Sequence, residues 1–237
     1  MNVTAVRQTA GGFLRRPEAY DLHIRRFVPS YGEMLESLFE SLILMDPSRA
    51  DILEIGCRTG HLAGLLLRAK PEARLTAIDG DMDMVLACKE SLGRRSKDVE
   101  LVCRPEARFT RPSAFDYILS HLALHRLEDT LEMKSFCRNA FDSLRPGGIL
   151  AFSLMIEGDN PEKSDIMWDC WERDVRHGGV SAAELDEWRT EDLRDCHPVT
   201  SRLWLGWLKE AGFIHADIVW CETIFATIWA KKPLSSV

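Results

Sequence analysis

Ile52-Leu53-Glu54-Ile55-Gly56-Cys57-Arg58-Thr59-Gly60 is followed by an apolar run with helical character and then by Leu75-Thr76-Ala77-Ile78-Asp79. The order predicts a buried strand, a glycine turn, a helix and a second strand ending in an acid. Such a unit suits a nucleoside-bearing ligand. Glycines let the backbone approach it, the amides at a helix start are electropositive, and an acid at the next strand end can accept from ribose hydroxyls. The chemistry is therefore expected at the carboxyl edge of a parallel sheet.

The glycine spacing discriminates between ligands. A dinucleotide fingerprint needs glycine at 56, 58 and 61, where this chain has Gly56, Arg58 and His61. The pattern acid-x-Gly-x-Gly-x-Gly is met by Glu54, Gly56 and Gly60 and missed only at Arg58. It resembles the first motif of the class I S-adenosylmethionine-dependent methyltransferases. Further stretches resemble that family in its own order. Asp79-Gly80-Asp81-Met82-Asp83-Met84 is similar to the segment after the second strand, Phe115 to His125 to the fourth-strand motif, and Leu144-Arg145-Pro146-Gly147-Gly148-Ile149-Leu150 to the turn into the fifth strand. The resemblance covers roughly residues 50 to 155, and Leu208 to Lys231 is similar to the closing helix and hairpin.

This resemblance implies an α/β fold: a doubly wound, seven-stranded, mostly parallel sheet of order 3-2-1-4-5-7-6, with N-terminal helices and a helical cap insertion. It implies S-adenosylmethionine as cofactor. The residues it points to are Tyr31, Glu54, Gly56, Cys57, Arg58, Gly60, Asp79, Gly80, Met84, Glu106, Ser120 and His121. Asp79 would bind the ribose diol, Met84 would lie near adenine, and backbone from the glycine loop and Ser120-His121 would hold the methionine part.

Two departures bear on function. At Arg58 the family has glycine, in a conformation that costs a residue with a side chain about 1 to 2 kcal/mol. The guanidinium either holds the cofactor carboxylate by a charge-assisted contact or extends into solvent. After the third strand, Val99 to Cys103, the family often carries an acid near the adenine amino group. This chain has Arg104-Pro105-Glu106, so Glu106 serves only if the loop shifts by a residue.

The 237 residues suit one domain, 1–237, with residues 13–46 as an N-terminal helical lid and 157–200 as the cap insertion. A net charge of -7 disfavours a broad nucleic-acid surface. Seven cysteines without a Cys-x-x-Cys pair argue against a disulfide framework and a structural zinc site, and no metal is expected. No apolar run reaches the roughly 18 residues of a membrane span, and the N-terminus lacks a signal-type core, which predicts a soluble, cytoplasmic protein. Homodimerisation is left open.

Residues 1–12 show little periodicity. Pro17 opens a helical stretch through Phe27, and Pro29-Ser30 introduces a second in which Met34, Leu35, Leu38, Phe39, Leu42 and Ile43 recur at helical spacing. Helices so placed in this family close the pocket, so Tyr20, Phe27 and Tyr31 either face the ligand or pack onto the core. Trp168, Trp171 and Trp188 of the insertion pose the same choice between ligand contact and packing anchor.

Methyl transfer from an activated sulfonium needs orientation and exclusion of water, not a protein nucleophile. A base helps when the acceptor is a hydroxyl or protonated amine. His121, at the end of the fourth strand, is the catalytic candidate, against a structural histidine; His125, Glu157 and His197-Pro198 are further polar candidates. The leading reading is a methyltransferase for a small-molecule acceptor. A second uses the same cofactor otherwise: Arg26-Phe27-Val28-Pro29-Ser30-Tyr31 resembles carboxy-S-adenosylmethionine synthases, and relatives of the fold also transfer or cyclise the aminocarboxypropyl arm with release of methylthioadenosine. A third is a catalytically silent scaffold.

Overall fold

A computed structural model describes residues 16–43 and 49–234 of the chain. The expectations for residues 1–12, and for 13–15 and 44–46 of the lid, lie outside the described residues. Two helices, α1 (Pro17–Phe27) and α2 (Tyr31–Ile43), precede the first strand, as their proline starts and apolar spacing predict.

Short apolar runs then alternate with helices: β1 (Asp51–Ile55), α3 (His61–Ala69), β2 (Arg74–Asp79), α4 (Met82–Leu92), β3 (Val99–Cys103), β4 (Phe115–His121), α5 (Thr130–Ser143) and β5 (Leu144–Glu157). The insertion supplies α6 (Pro161–His177), α7 (Ala182–Glu187) and a two-residue strand β6 (Val199–Thr200). The chain ends with α8 (Ser201–Ala211) and the hairpin β7 (Ile214–Glu222) and β8 (Phe225–Lys231).

Strands β1 to β5 pair in parallel, and β8 joins β5 antiparallel, giving the order β3-β2-β1-β4-β5-β8-β7. This is the expected order with one addition. The short β6 pairs with the end of β5 and makes eight strands of the expected seven.

Strand alternation divides the core between two faces. Ile52 packs on one side with Leu66, Leu119 and Trp171, while Leu53 and Ile55 pack on the other with Phe136, Phe152 and Trp204. Both faces are covered by helices, which explains why the parallel strands read as nearly continuous apolar runs. Strand β1 lies between β2 and β4, where the winding reverses direction. The carboxyl ends of the strands diverge there into a crevice, the usual ligand site of such sheets.

The insertion docks on α1 through aromatic packing. Trp171 of α6 is fully buried, and its indole N–H donates to the Phe27 carbonyl at 2.8 Å. The Trp188 ring stacks on Phe27 at 5.4 Å and on Trp171 at 4.5 Å. Both tryptophans are thus anchors of the cap. Arg26 binds the Glu184 carboxylate and donates to the Gly179 carbonyl at 3.2 Å, and this arginine holds the Glu184 carboxyl down to about 2. Trp171→Phe keeps most of the ring packing but leaves the Phe27 carbonyl without its donor. We expect it to lower stability by about 1 to 3 kcal/mol in urea unfolding, and a midpoint equal to that of the parent would remove this bond from the cap's attachment.

Candidate active site

The glycine loop after β1 is held from below by β2. The amides of Gly56 and Cys57 both donate to the Ile78 carbonyl at 2.9 Å, which turns the chain sharply over the end of the neighbouring strand. Gly56 has φ +74°, and a Cβ there would meet the Cβ of Ala123 at 2.2 Å, so glycine is required by both torsion and space. Arg58 also takes a left-handed torsion, φ 49°. Its amide donates to Asp79 Oδ2 at 2.9 Å, and Asp79 Oδ1 accepts from the Asp81 amide at 3.0 Å. The buried acid at the end of β2 thereby ties the glycine loop to the start of α4, and each oxygen keeps a lone pair for a further donor.

Above this edge lies a cavity of about 880 Å³. Asp79, Gly80, Asp81, Asp83 and Glu106 line one side, Ala123, Arg126, Leu127 and Glu128 another, and Arg16 to Glu18 of the first helical turn, Asp195 and His197 complete it. Glu106 does reach the site: its Oε1 accepts from the Gly80 amide at 3.2 Å. Burial, with the Asp79 charge beside it, raises its pKa. The loop after β3 thus brings Glu106, the acid that the sequence reading reached only by a one-residue shift, to the cavity wall.

A second group of expected residues sits beneath the loop, outside the cavity lining. Glu54 is 1% exposed, its Oε2 has no hydrogen-bond partner, and burial pushes its pKa well above the carboxylate range. His121 is buried, with Nδ1 on Ser153 Oγ at 2.6 Å and Nε2 without a partner. Tyr31 covers it edge-on at 4.9 Å, and the Arg25 guanidinium lies 4.5 Å above the Tyr31 ring. Arg25 also shares a 3.2 Å hydrogen bond with His61 Nε2. Ser120 Oγ donates to the Ile55 carbonyl at 2.8 Å and joins β4 to β1. Met84 is fully buried on α4 and does not reach the cavity, because α4 turns this position inward and the exposed Met82 outward. Cys57 is buried against Cys88, and this contact, followed by burial, raises its pKa.

The environment of His121 weighs against the base role expected for it. Burial, aided by the nearby His61 and Arg25 charges, pulls its pKa down to about 3, so its imidazole is a weak proton acceptor near neutrality. The imidazole that lines the cavity is His197, brought there by the segment before β6, whose amide donates to the His125 carbonyl at 2.6 Å. His125 is buried, and burial drives its pKa well down. Arg16, Asp81, Asp83, Arg126 and Asp195 are lining residues absent from the sequence-based set. Arg126 stood within reach, one position after the fourth-strand match, but no spacing rule tells whether it faces the ligand or solvent. Among the described residues, no group of three or more His, Cys, Asp or Glu is placed to hold a metal, and no helix is long and apolar enough to cross a membrane.

Comparison with known proteins agrees with this fold. Residues 53–150 match the family model of a methyltransferase domain. A carboxy-S-adenosyl-L-methionine synthase from Shewanella sediminis is 26% identical over 215 residues, 88% of this chain and 87% of the relative. A malonyl-[acyl-carrier protein] O-methyltransferase from Acetivibrio thermocellus is 30% identical over 141 residues, 60% of this chain and 47% of the relative. In fold the chain is similar to an S-adenosylmethionine-dependent methyltransferase from Thermotoga maritima, with a TM-score of 0.63, 14% identity and coverage of 93% and 97% of the two chains. The protein has the Rossmann-like fold of the class I S-adenosylmethionine-dependent methyltransferases, and its central segment 53–150 is similar to their methyltransferase domain. S-adenosylmethionine is the cofactor that goes with this family.

Two buried groups should leave opposite signatures in stability. Glu54, with a raised folded pKa, favours the folded state at low pH and disfavours it as pH rises above the unfolded value of roughly 4.5. We expect Glu54→Gln to raise the melting temperature at pH 8 and to change it little at pH 4. His121, with a folded value of about 3, instead removes stability as pH falls below about 6.5 toward 3, because only the unfolded state takes the proton. His121→Asn should flatten this acid-side slope, measured by thermal unfolding across that range.

Proposed function

We propose that the protein transfers the methyl group of S-adenosylmethionine to a small-molecule acceptor bound in the crevice above β1 and β4. The observation that carries this reading is the orphaned Glu54 carboxylate beneath a glycine loop whose far side meets Asp79 and Glu106. A buried acid with an unpartnered oxygen costs several kcal/mol by order of magnitude unless a donor reaches it. An α-ammonium group is such a donor, and the same ligand carries a ribose diol suited to the free lone pairs of Asp79 and an adenine amine suited to Glu106. The residues present thus fit all three parts of the cofactor, and the 880 Å³ cavity exceeds the needs of one nucleoside.

When bound, the cofactor supplies an activated methyl group on a sulfonium. The protein's part is to hold and orient. Asp79 fixes the sugar, the Gly56 turn lets the backbone come close, and the α1 lid excludes water, held to the loop by Thr59 Oγ1 donating to Asp21 at 2.8 Å. His197 on the cavity wall is the candidate to take a proton from a hydroxyl or amine acceptor.

A second reading is favoured by the extent of the likeness to carboxy-S-adenosyl-L-methionine synthases, which spans 88% of this chain and so reaches well beyond the central segment 53–150. Incubation with S-adenosylmethionine and candidate acceptors, followed by chromatography, separates the readings. S-adenosylhomocysteine marks methyl transfer, a carboxylated sulfonium the second reading, and methylthioadenosine attack on the aminocarboxypropyl arm. Calorimetry with S-adenosylhomocysteine tests the site itself. Asp79→Asn and Glu54→Gln should each weaken binding about ten- to hundredfold, as expected for a lost charge-assisted hydrogen bond, and an intact protein that binds neither cofactor nor product would be a silent scaffold.

A further inference from the structure

A smaller cavity between α3 and α4 has no lining residue in common with the crevice. It holds about 160 Å³ and is lined by His61, Gly64, Arg68, Ser91 and Arg95 beside two leucines. In a chain of net charge -7 its polarity is the reverse of the crevice: seven carboxylates line the large cavity, and none lines this one.

The two guanidiniums are placed there in different ways. Arg95 is half-buried and fixed: its Nη1 donates to the Leu67 carbonyl at 3.0 Å and its Nε lies 3.9 Å from Asp98. Arg68 is exposed and has no hydrogen bond or ion pair among the described residues. Even so it does not extend away from the surface. Its Nη1 comes within 3.6 Å of the place where a Cβ on Gly64 would stand, so the side chain folds back along α3 over a helical position that carries no side chain. His61 supplies a third donor. Arg25 can only donate, so its 3.2 Å contact with His61 Nε2 makes that nitrogen the acceptor and leaves the ring proton on Nδ1. Burial, then the charge of Arg25, with Arg68 adding to it, lowers the His61 pKa and keeps the ring neutral. Asp21, the acid that His61 feels, accepts from Thr59 at 2.8 Å. Ser91 adds a hydroxyl.

The volume equals that of about five waters at roughly 30 Å³ each, which suits a tetrahedral oxyanion of five heavy atoms. Two guanidinium forks match the oxygens of a phosphate, whose charge near -2 and several acceptors engage more of these donors than a carboxylate does. We propose that the groove between α3 and α4 binds a phosphate group, as the free ion or as a small phosphate monoester, through Arg68 and Arg95, with His61 and Ser91 as further donors. This site stands apart from the cofactor reading and takes no part in group transfer. Its wall includes Gly60, the last glycine of the loop, and His61, the partner of Arg25 on α1, so a bound phosphate meets the residues where the lid adjoins the loop.

The test is calorimetric titration with inorganic phosphate and with glycerol 3-phosphate, at ionic strength held constant with sodium chloride and with glycerol as the neutral control. The parent protein is expected to bind at least one of the two phosphates saturably, with one site per chain, and glycerol not at all. Arg68→Ala should weaken that binding about five- to twentyfold, and Arg68→Lys should recover part of the loss. Arg173→Ala, which removes an exposed cation from α6, should stay within about twofold of the parent. The His61 ring signals in nuclear magnetic resonance should shift along the same saturation curve. Tighter binding of glycerol 3-phosphate identifies a monoester as the ligand, and equal or tighter binding of inorganic phosphate identifies the free ion. Absence of saturable binding across the millimolar range would overturn the proposal. So would Arg68→Ala and Arg95→Gln variants that bind as the parent does, or saturation that leaves the His61 signals unmoved, each of which marks an adventitious ion only.

Discussion

The site depends on the hydrogen bonds that the end of β2 gives to the loop after β1. The Ile78 carbonyl takes two successive amides, and the Asp79 carboxylate takes the amides of Arg58 and Asp81. Four backbone donors that a sharp turn would otherwise leave unpaired are satisfied by two adjacent residues. The turn at Gly56 can be tight only because those acceptors stand beneath it. Parallel pairing of β1 with β2 puts them there, and the reversal of winding at β1 opens the crevice above.

Polarity is distributed unevenly around this loop, and the distribution carries the functional meaning. Below it, Glu54 and His121 keep unpartnered atoms in a dry environment, which burial tolerates by holding the acid and the imidazole toward their neutral forms. Above it, Asp79 and Glu106 present acceptors. Beside it, the Arg58 guanidinium lies 5.6 Å from the Tyr20 ring, within the field of Asp79 and Glu106. Buried polar atoms are usually paired, so the unpartnered atoms of Glu54 and His121 are the feature of this loop that asks for an explanation.

Helix α1 and the inserted segment are packed together as one unit. Phe27, Trp171 and Trp188 form a stacked aromatic column, and Arg26 bridges to the start of α7, so a displacement of α1 is felt by residues 161–192. At its other side α1 meets the glycine loop through Asp21 and Tyr20.

The sheet order, the glycine turn, Asp79 and the two N-terminal helices were legible in the sequence because each depends on local periodicity, chirality or torsion, and these repeat wherever such a unit occurs. The short β6 was not, since two residues carry no periodicity. Glu106 was legible as a candidate but not as a participant, because a loop's path is set by what it packs against. His121 stands at a strand end, where the sequence points to a base, but the burial that lowers its pKa exists only in the folded chain. The direction of Arg58 was likewise beyond the sequence: a left-handed torsion can be inferred from a missing glycine, but the place where five donors arrive follows from Tyr20, the cap and the acids around them. Backbone pattern is written along the chain, whereas burial and field are sums over residues far apart in it, and those sums exist only once the chain has folded.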